Sequence, residues 1–278
     1  MIRQMTTLDG WQAFIEDLCA DPAFSDPKLT DEEDRQNKLV SALNRPDRRV
    51  LGVYRGGEPT GLFVFLVLPA DRYLEMLVGL SREAEAWEEI AAWLREDYPG
   101  WQADFVFNPK NTLITALMER LGAALFPEQQ EMVFTGTAPA VDTVGVETLC
   151  EPYREQYFTM HNTDVYWTGE RIVEAPERFR TFVAVEAGAA VGYLDLTVGL
   201  EENEPVDLLV RKEARRRGWG RKLLAAAIEA NRPAGMRLLV DTDNEPALRL
   251  YGSMGFVRVE GRNNRTASWQ IEGEEKDG

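Results

Sequence analysis

The sequence predicts two α/β (α+β) domains in tandem, and three observations carry that expectation. The chain has 278 residues, more than one compact core usually takes, so two domains of about 130 to 140 residues are expected. Segments with strand character alternate with amphipathic, helix-like segments, the pattern of sheets covered by helices. The order of segments in the first half also recurs in the second at a nearly constant offset.

Along the chain, Trp11, Phe14, Ile15 and Leu18 fall at i, i+3, i+4 and i+7, which is one helix face. The first forty-odd residues, with the acidic run Asp31, Glu32, Glu33 and Asp34, are read as helices. Residues 49–54, a turn at Gly56 and Gly57, and residues 61–68 make a hairpin. Then follow a strand at 74–78, a helix at 83–94, a strand at 103–107, a helix at 111–121 closed by Gly122, and a strand at 130–135. The run Gly136, Thr137, Ala138, Pro139, Ala140 is small and contains proline. It sets the expected boundary, dividing the chain into residues 1–138 and 139–278. The second half repeats the plan, with a hairpin from 182–185 and 191–198, a strand at 206–210, a helix at 220–230, a strand at 237–241 and a helix at 245–254.

The repeat has specific anchors. Residues 74–78 align with 206–210 at an offset of 132, Asn111 with Asn244 and Gly122 with Gly255 at 133, and Gly57 and Gly61 with Gly188 and Gly192 at 131.

Composition bounds the function. Hydrophobic residues make up 44% and charged residues 28%, so the chain folds rather than remaining disordered. A formal net charge of -16 argues against nonspecific nucleic-acid binding and against attachment to anionic membrane. Two cysteines, Cys19 and Cys150, give neither a disulfide framework nor metal-site spacing, which points to a reducing compartment. There is no charged-then-apolar leader, and the longest apolar run, 62–69, is too short for a bilayer. A cytoplasmic protein is therefore expected. One histidine, His161, leaves no His-rich metal site, and no metal is expected. Without a G-x-S-x-G turn, His161 is read as an ordinary surface or core residue.

The chemistry concentrates after residue 206. An apolar strand runs into a basic turn holding Gly218 and Gly220, and a helix with Leu223, Leu224, Ala227 and Ile228 on one face leaves it. Seven of the twelve residues 211–222 are Lys or Arg, in a chain otherwise strongly acidic. Glycines that admit close backbone approach, exposed amides and a helix N-terminus suit a pyrophosphate. No Gly-Lys-Ser/Thr follows, and no G-x-G-x-x-G is present.

Arg215-x-x-Gly218-x-Gly220 resembles the Arg/Gln-x-x-Gly-x-Gly/Ala signature of the GCN5-related N-acetyltransferase (GNAT) superfamily. Asn244, Ala247, Tyr251, Gly255 and Phe256 resemble that superfamily's later Asn-x-x-Ala-x-x-x-Tyr-x-x-x-Gly-Phe segment. The likeness covers about residues 145 to 271. It implies two tandem GNAT-like domains, each a mixed, mostly antiparallel twisted sheet flanked by helices, with acetyl-CoA as co-substrate. The backbone of Leu209 and Val210 would meet the pantetheine arm where strand 206–210 splays from strand 237–241. Arg211, Arg215, Arg216, Arg217, Gly218, Trp219, Gly220, Arg221 and Lys222 would surround the pyrophosphate, with Asn244 and Tyr251 near the pantetheine and the sulfur.

Tyr251 would protonate the departing thiolate; the alternative is a helix residue packed on the sheet. Asp207 is the first candidate to take the amine's proton, then Glu204 and Glu202; a solvated strand-edge acid is the alternative for Asp207. The stretch from Tyr157 to Glu170, with His161, Asp164, Tyr166 and Trp167, lies before the hairpin, where the superfamily builds its acceptor pocket. Its aromatics and acids could cradle a cationic amine, or be core and surface residues of two short helices. In the first half, Ala86 and Glu88 stand at the positions of Gly218 and Gly220, and Met118 at that of Tyr251. That half is expected to be a degenerate copy without a cofactor site.

The resulting expectation is direct acetyl transfer from acetyl-CoA to a primary amine of a small molecule or peptide, by a monomer or homodimer. The alternatives are a noncatalytic CoA-binding or interaction module, nucleic-acid binding through residues 211–222, and aminoacyl transfer from charged tRNA.

Overall fold

The computed structural model describes residues 1–29, 32–163 and 167–272. In chain order the elements begin β1 (Ile2–Gln4), α1 (Gln12–Cys19), α2 (Glu32–Arg35), β2 (Arg48–Arg55), β3 (Glu58–Leu68), β4 (Tyr73–Leu80), α3 (Ala84–Asp97), β5 (Gln102–Phe107), α4 (Thr112–Arg120) and β6 (Ala124–Phe134). They continue β7 (Val146–Thr148), α5 (Glu151–Met160), α6 (Gly169–Glu174), β8 (Phe179–Glu186), β9 (Ala189–Thr197), β10 (Glu202–Asn203), β11 (Pro205–Val210), α7 (Trp219–Asn231), β12 (Gly235–Asp241), α8 (Glu245–Ser253), β13 (Phe256–Arg258) and β14 (Asn264–Gln270).

Two compact units result, residues 1–129 with 260 onward, and residues 130–259. The sequence places a single boundary at 138/139; the contacts divide the chain twice. The last segment, given no element from sequence, is the strand β14, which pairs with β5 and with residues 124–129 of β6 in the first unit. The expected 130–135 strand begins at Ala124, and its residues 132–134 pair with β13 in the second unit. The all-helical start is also corrected, because Ile2–Gln4 pairs with β2.

In the first unit the strands run β1-β2-β3-β4-β5-β14, antiparallel except β4 with β5. The pleat sends Phe63 and Phe65 to one face, under Trp87, Ile90, Leu94 and Leu117 of α3 and α4, and Leu62 and Val64 to the other, under Trp11, Ile15 and Leu18. β4 pairs with β5 from Tyr73 to Met76 and then continues to Leu80. Residues 21–29 are bonded into the opening beyond. The Asp26 carboxylate accepts the amides of Gly79 and Lys28 at 2.8 Å each, and Asn108 Nδ2 donates to the Pro22 and Ser25 carbonyls at 3.1 Å.

In the second unit β7-β8-β9-β11 form one antiparallel sheet, while β12 lies between β10 and β6 in another. Leu223, Leu224, Ala227 and Ile228 of α7 are buried, as their spacing predicts, and pack with Phe182, Ala184, Leu194 and Leu238. The opposite face of β8 and β9 carries Thr181, Val183, Tyr193 and Asp195, and α5 covers it through Tyr157. The repeat holds in local detail. Asn111 and Asn244 both cap helices, accepting the amides of Leu113 and Ala247, and Gly122 and Gly255 both follow those helices with positive φ, 67° and 92°.

Candidate acyl-transfer site

β11 and β12 are neighbours in space yet belong to different sheets. Backbone groups on their facing edges are therefore free of the ladder that would close the sheet, which is the splay expected between 206–210 and 237–241. A register shift between Pro205 and Asp207 bulges β11 at its start, turning Asp207 to the face shared with Tyr193. Gly192 allows β9 to approach, since a Cβ there would lie 2.7 Å from the Leu209 carbonyl.

Val210 leads into a turn folded on itself. Arg211 N–H donates to Val191 O at 2.8 Å, Arg215 Nε donates to Val210 O at 2.9 Å, and Arg216 and Gly218 take positive φ, 61° and 88°. Gly218 is the N-cap of α7 and brings no side chain to cap it. Among the described residues, the amides of Arg216, Arg217, Gly218, Trp219, Gly220 and Arg221 donate to no protein acceptor. Such amides at a helix start make an anion cradle. The buried Arg211 Nε and Trp219 Nε1 also lack partners, and buried orphan donors are rare without a ligand to meet them. These are the donors a pyrophosphate fits. Gly220 sits against Leu250 of α8, where a Cβ would approach Leu250 at 3.2 Å.

Not every basic residue of the turn is open. Arg217 pairs with Glu186. Arg221 donates to the Ser253 carbonyl at 3.4 Å. Lys222 binds Asp142 at 3.2 Å and the Val144 carbonyl at 3.0 Å, over the Trp219 ring.

Asn244 uses its Oδ1 as the α8 cap, at 3.2 Å from the Ala247 amide, leaving its amide nitrogen outward. One helix later Tyr251 is buried against Phe256. Burial, then the nearby charges of Asp207 and Glu204, push its pKa up to about 12, so three residues picked from sequence share one electrostatic neighbourhood. Glu204 is raised chiefly by burial, and its carboxylate accepts the Leu239 amide across the splay. Glu202 stands apart, 4.0 Å from Arg237.

Asp207 Oδ2 receives the Tyr193 hydroxyl at 2.6 Å, and its side chain is 38% exposed. Behind it is a cluster that sequence reasoning found only in part, since Tyr157 and His161 lie in the 157–170 stretch but Asp195 and Thr181 were not singled out. Asp195, fully buried, accepts the hydroxyls of Tyr157 and Thr181 and lies 3.1 Å from His161 Nε2. His161 is the C-cap of α5 and stacks on Tyr193 at 5.2 Å and 20°. Burial works against the charged imidazole, but Asp195, the Asn162 carbonyl and Asp207 together hold its pKa above the ordinary value. Burial pushes Asp195, Tyr157 and Tyr193 upward. No sequence motif marks this cluster; the available signal was the period-2 placement of Tyr193 and Asp195 on one strand. His161, Asp195 and Asp207 offer ligand atoms within 4.8 Å of one another. Asp195 is already filled by hydroxyl donors, so the group reads as a proton site rather than a metal centre.

Trp167 packs on Phe179 at 4.8 Å with the Arg178 guanidinium over it at 4.8 Å. Asp164 and Tyr166, and Asp31 of the acidic run, lie outside the described residues.

Residues 177–258 match the acetyltransferase (GNAT) domain family. A mycothiol acetyltransferase of Rhodococcus erythropolis is 33% identical over 92 residues, 33% of this chain and 30% of that protein; the match thus spans under a third of the relative's length. Over nearly the whole chain the fold is that of a GCN5-related N-acetyltransferase from Sphaerobacter thermophilus, at 17% identity and TM-score 0.62, covering 98% of this chain and 96% of the other. A tandem GNAT protein from the clavulanic acid biosynthesis pathway shares it at 15% identity and TM-score 0.52, covering 99% of each chain. No helix among the described residues is long and apolar enough to cross a membrane.

Proposed function

We propose that the second unit binds acetyl-CoA along β11 and the start of α7 and transfers the acetyl group to a primary amine of a small molecule or peptide, by direct attack in a ternary complex. The observation that carries this reading is the run of unpartnered amides from Arg216 to Arg221, placed at the end of the splay between β11 and β12. Bound acetyl-CoA would supply the thioester. Leu209 and Val210 bind its pantetheine arm through their backbone, Asn244 contacts it beside them, and the turn amides with Arg211, Arg215 and Arg216 hold the pyrophosphate.

In the transfer the amine nitrogen bonds to the thioester carbonyl carbon and the carbon–sulfur bond breaks. Tyr251 keeps its proton at neutral pH and gives it to the leaving sulfur. The amine's proton passes to the Asp207 side, with Glu204 next to it.

The first unit is proposed to bind no CoA. Three residues, 81–83, separate β4 from α3, whereas eight, 211–218, separate β11 from α7. Ala86 and Glu88 lie inside α3, Met118 is buried in the core, and the opening beside β4 is filled by residues 21–29.

A panel of polyamines, aminoglycosides, amino acids and peptides, read by thiol release from acetyl-CoA, tests the activity. At least one primary amine is expected to release CoA well above the hydrolysis background. Background release across the whole panel contradicts the reading.

A further inference from the structure

We propose that His161 is a positioning residue for the acceptor, held as an imidazolium between Asp195 and Asp207 so that the Asp207 carboxylate is aimed at the ammonium group of the incoming amine. This rests on the reading of the second unit as an amine acetyltransferase with Asp207 at the acceptor.

His161 Nδ1 faces the Asn162 carbonyl at 3.1 Å, and Nε2 faces the Asp195 carboxylate at 3.1 Å. A neutral imidazole has one N–H, so two acceptors at hydrogen-bond distance require one more proton in the pair. Asp195 also receives the Tyr157 and Thr181 hydroxyls. Three donors converge on one carboxylate and oppose the burial that raises it, which places the extra proton on the ring. The position agrees with this, because His161 caps the C-terminal end of α5, where the helix dipole favours a cation. Its face lies on the Tyr193 ring, a further attraction for positive charge.

Asp207 is fixed on one side. Its Oδ2 is held by the Tyr193 hydroxyl at 2.6 Å and lies 3.8 Å from His161 Nε2. Its Oδ1 has no hydrogen bond among the described residues, and the side chain is partly open. Among the described residues, one oxygen is anchored and the other left open. Among the described residues, the ionisable groups around the imidazole are Tyr157 from α5, Glu170 from α6, Tyr193 and Asp195 from β9, and Asp207 from β11. The carboxylates of Asp195, Asp207 and Glu170 among them outnumber the one imidazolium, so the group carries net negative charge, which an alkylammonium offsets and a neutral or anionic acceptor does not. The site thus selects cationic primary amines.

The chain has one histidine, so a histidine-labelled sample gives one imidazole signal set. The experiment follows both ring nitrogens of the intact wild-type protein by 15N NMR against pH, and in parallel compares amine kinetics of wild type and His161→Gln. Both nitrogens are expected to be protonated at about pH 7, with a single titration above the ordinary value of about 6.5. His161→Gln should raise the KM for the amine about tenfold or more, with kcat changed much less. The wild-type advantage in kcat/KM should shrink toward one as pH rises through the measured titration, because the imidazolium is lost there. A neutral tautomer at about pH 7 overturns the proposal, as does an advantage that grows with pH. If the variant fails to fold, the NMR titration of wild type alone decides. If no amine is acetylated by wild type, the acetyltransferase reading fails while the protonation state is still measured.

Discussion

At neutral pH the Tyr251 hydroxyl retains its proton because it is buried and faces Asp207 and Glu204. That is the state a general acid needs before the thiolate leaves, and a phenylalanine ring fills the same space without the proton. Tyr251→Phe is expected to lower kcat about 100-fold while leaving acetyl-CoA affinity and the unfolding midpoint close to wild type. Steady-state kinetics beside a thermal melt check this, and an unchanged kcat would remove Tyr251 from the chemistry. That Tyr251 and Asp207 share one neighbourhood and that Asn244 starts α8 was legible in the sequence because the motif residues sit at fixed distances from a strand end and a helix start. The partnership of His161 with Asp195 was not. Their pairing joins the end of α5 to the middle of β9, 34 residues apart, and neither residue stands in a local pattern that a buried partner would require.

At the scale of elements, the strand-turn-helix from Pro205 to Asn231 was readable because its apolar periodicity and its glycines agree. β14 was not, for a physical reason: only Asn264, Ala267 and Trp269 of its seven residues point inward, and a register shift between Arg265 and Ala267 breaks the alternation. The filling of the first unit by residues 21–29 was equally hidden, since it depends on where Asp26 meets Gly79. Asp26 makes that element testable. Burial raises its pKa to about 6 against the two amides and the lysines that lower it. The folded state therefore holds the proton more tightly than the unfolded chain, whose aspartate titrates near 3.9. Stability falls as pH rises through that window, and is regained as pH falls. Relative to Asp26→Asn, wild type should gain about 1 kcal/mol between about pH 7 and pH 5 in urea unfolding. A difference that stays constant with pH contradicts the burial of an ionisable carboxylate at this position.

For the whole molecule, the two halves share a plan but differ where a cofactor would lie. The second unit has an eight-residue basic turn with unpartnered amides, set in a chain of net charge -16; the first has a three-residue turn, an acidic α3 start and an opening occupied by its own chain. The tandem plan could be read from matched anchors such as Asn111 with Asn244. The division of the chain could not, because β14 returns to the first unit after the second is complete. One acetyl-CoA site per chain is what the proposed function predicts from this contrast. Calorimetric titration of acetyl-CoA into wild type and into Gly218→Val tests it most directly. The φ of 88° at Gly218 is one that a β-branched residue resists, so the turn amides should lose their alignment. The account predicts one site per wild-type chain and a loss of affinity of about tenfold or more in the variant. Two sites per chain, or unchanged affinity in a folded Gly218→Val protein, would contradict it.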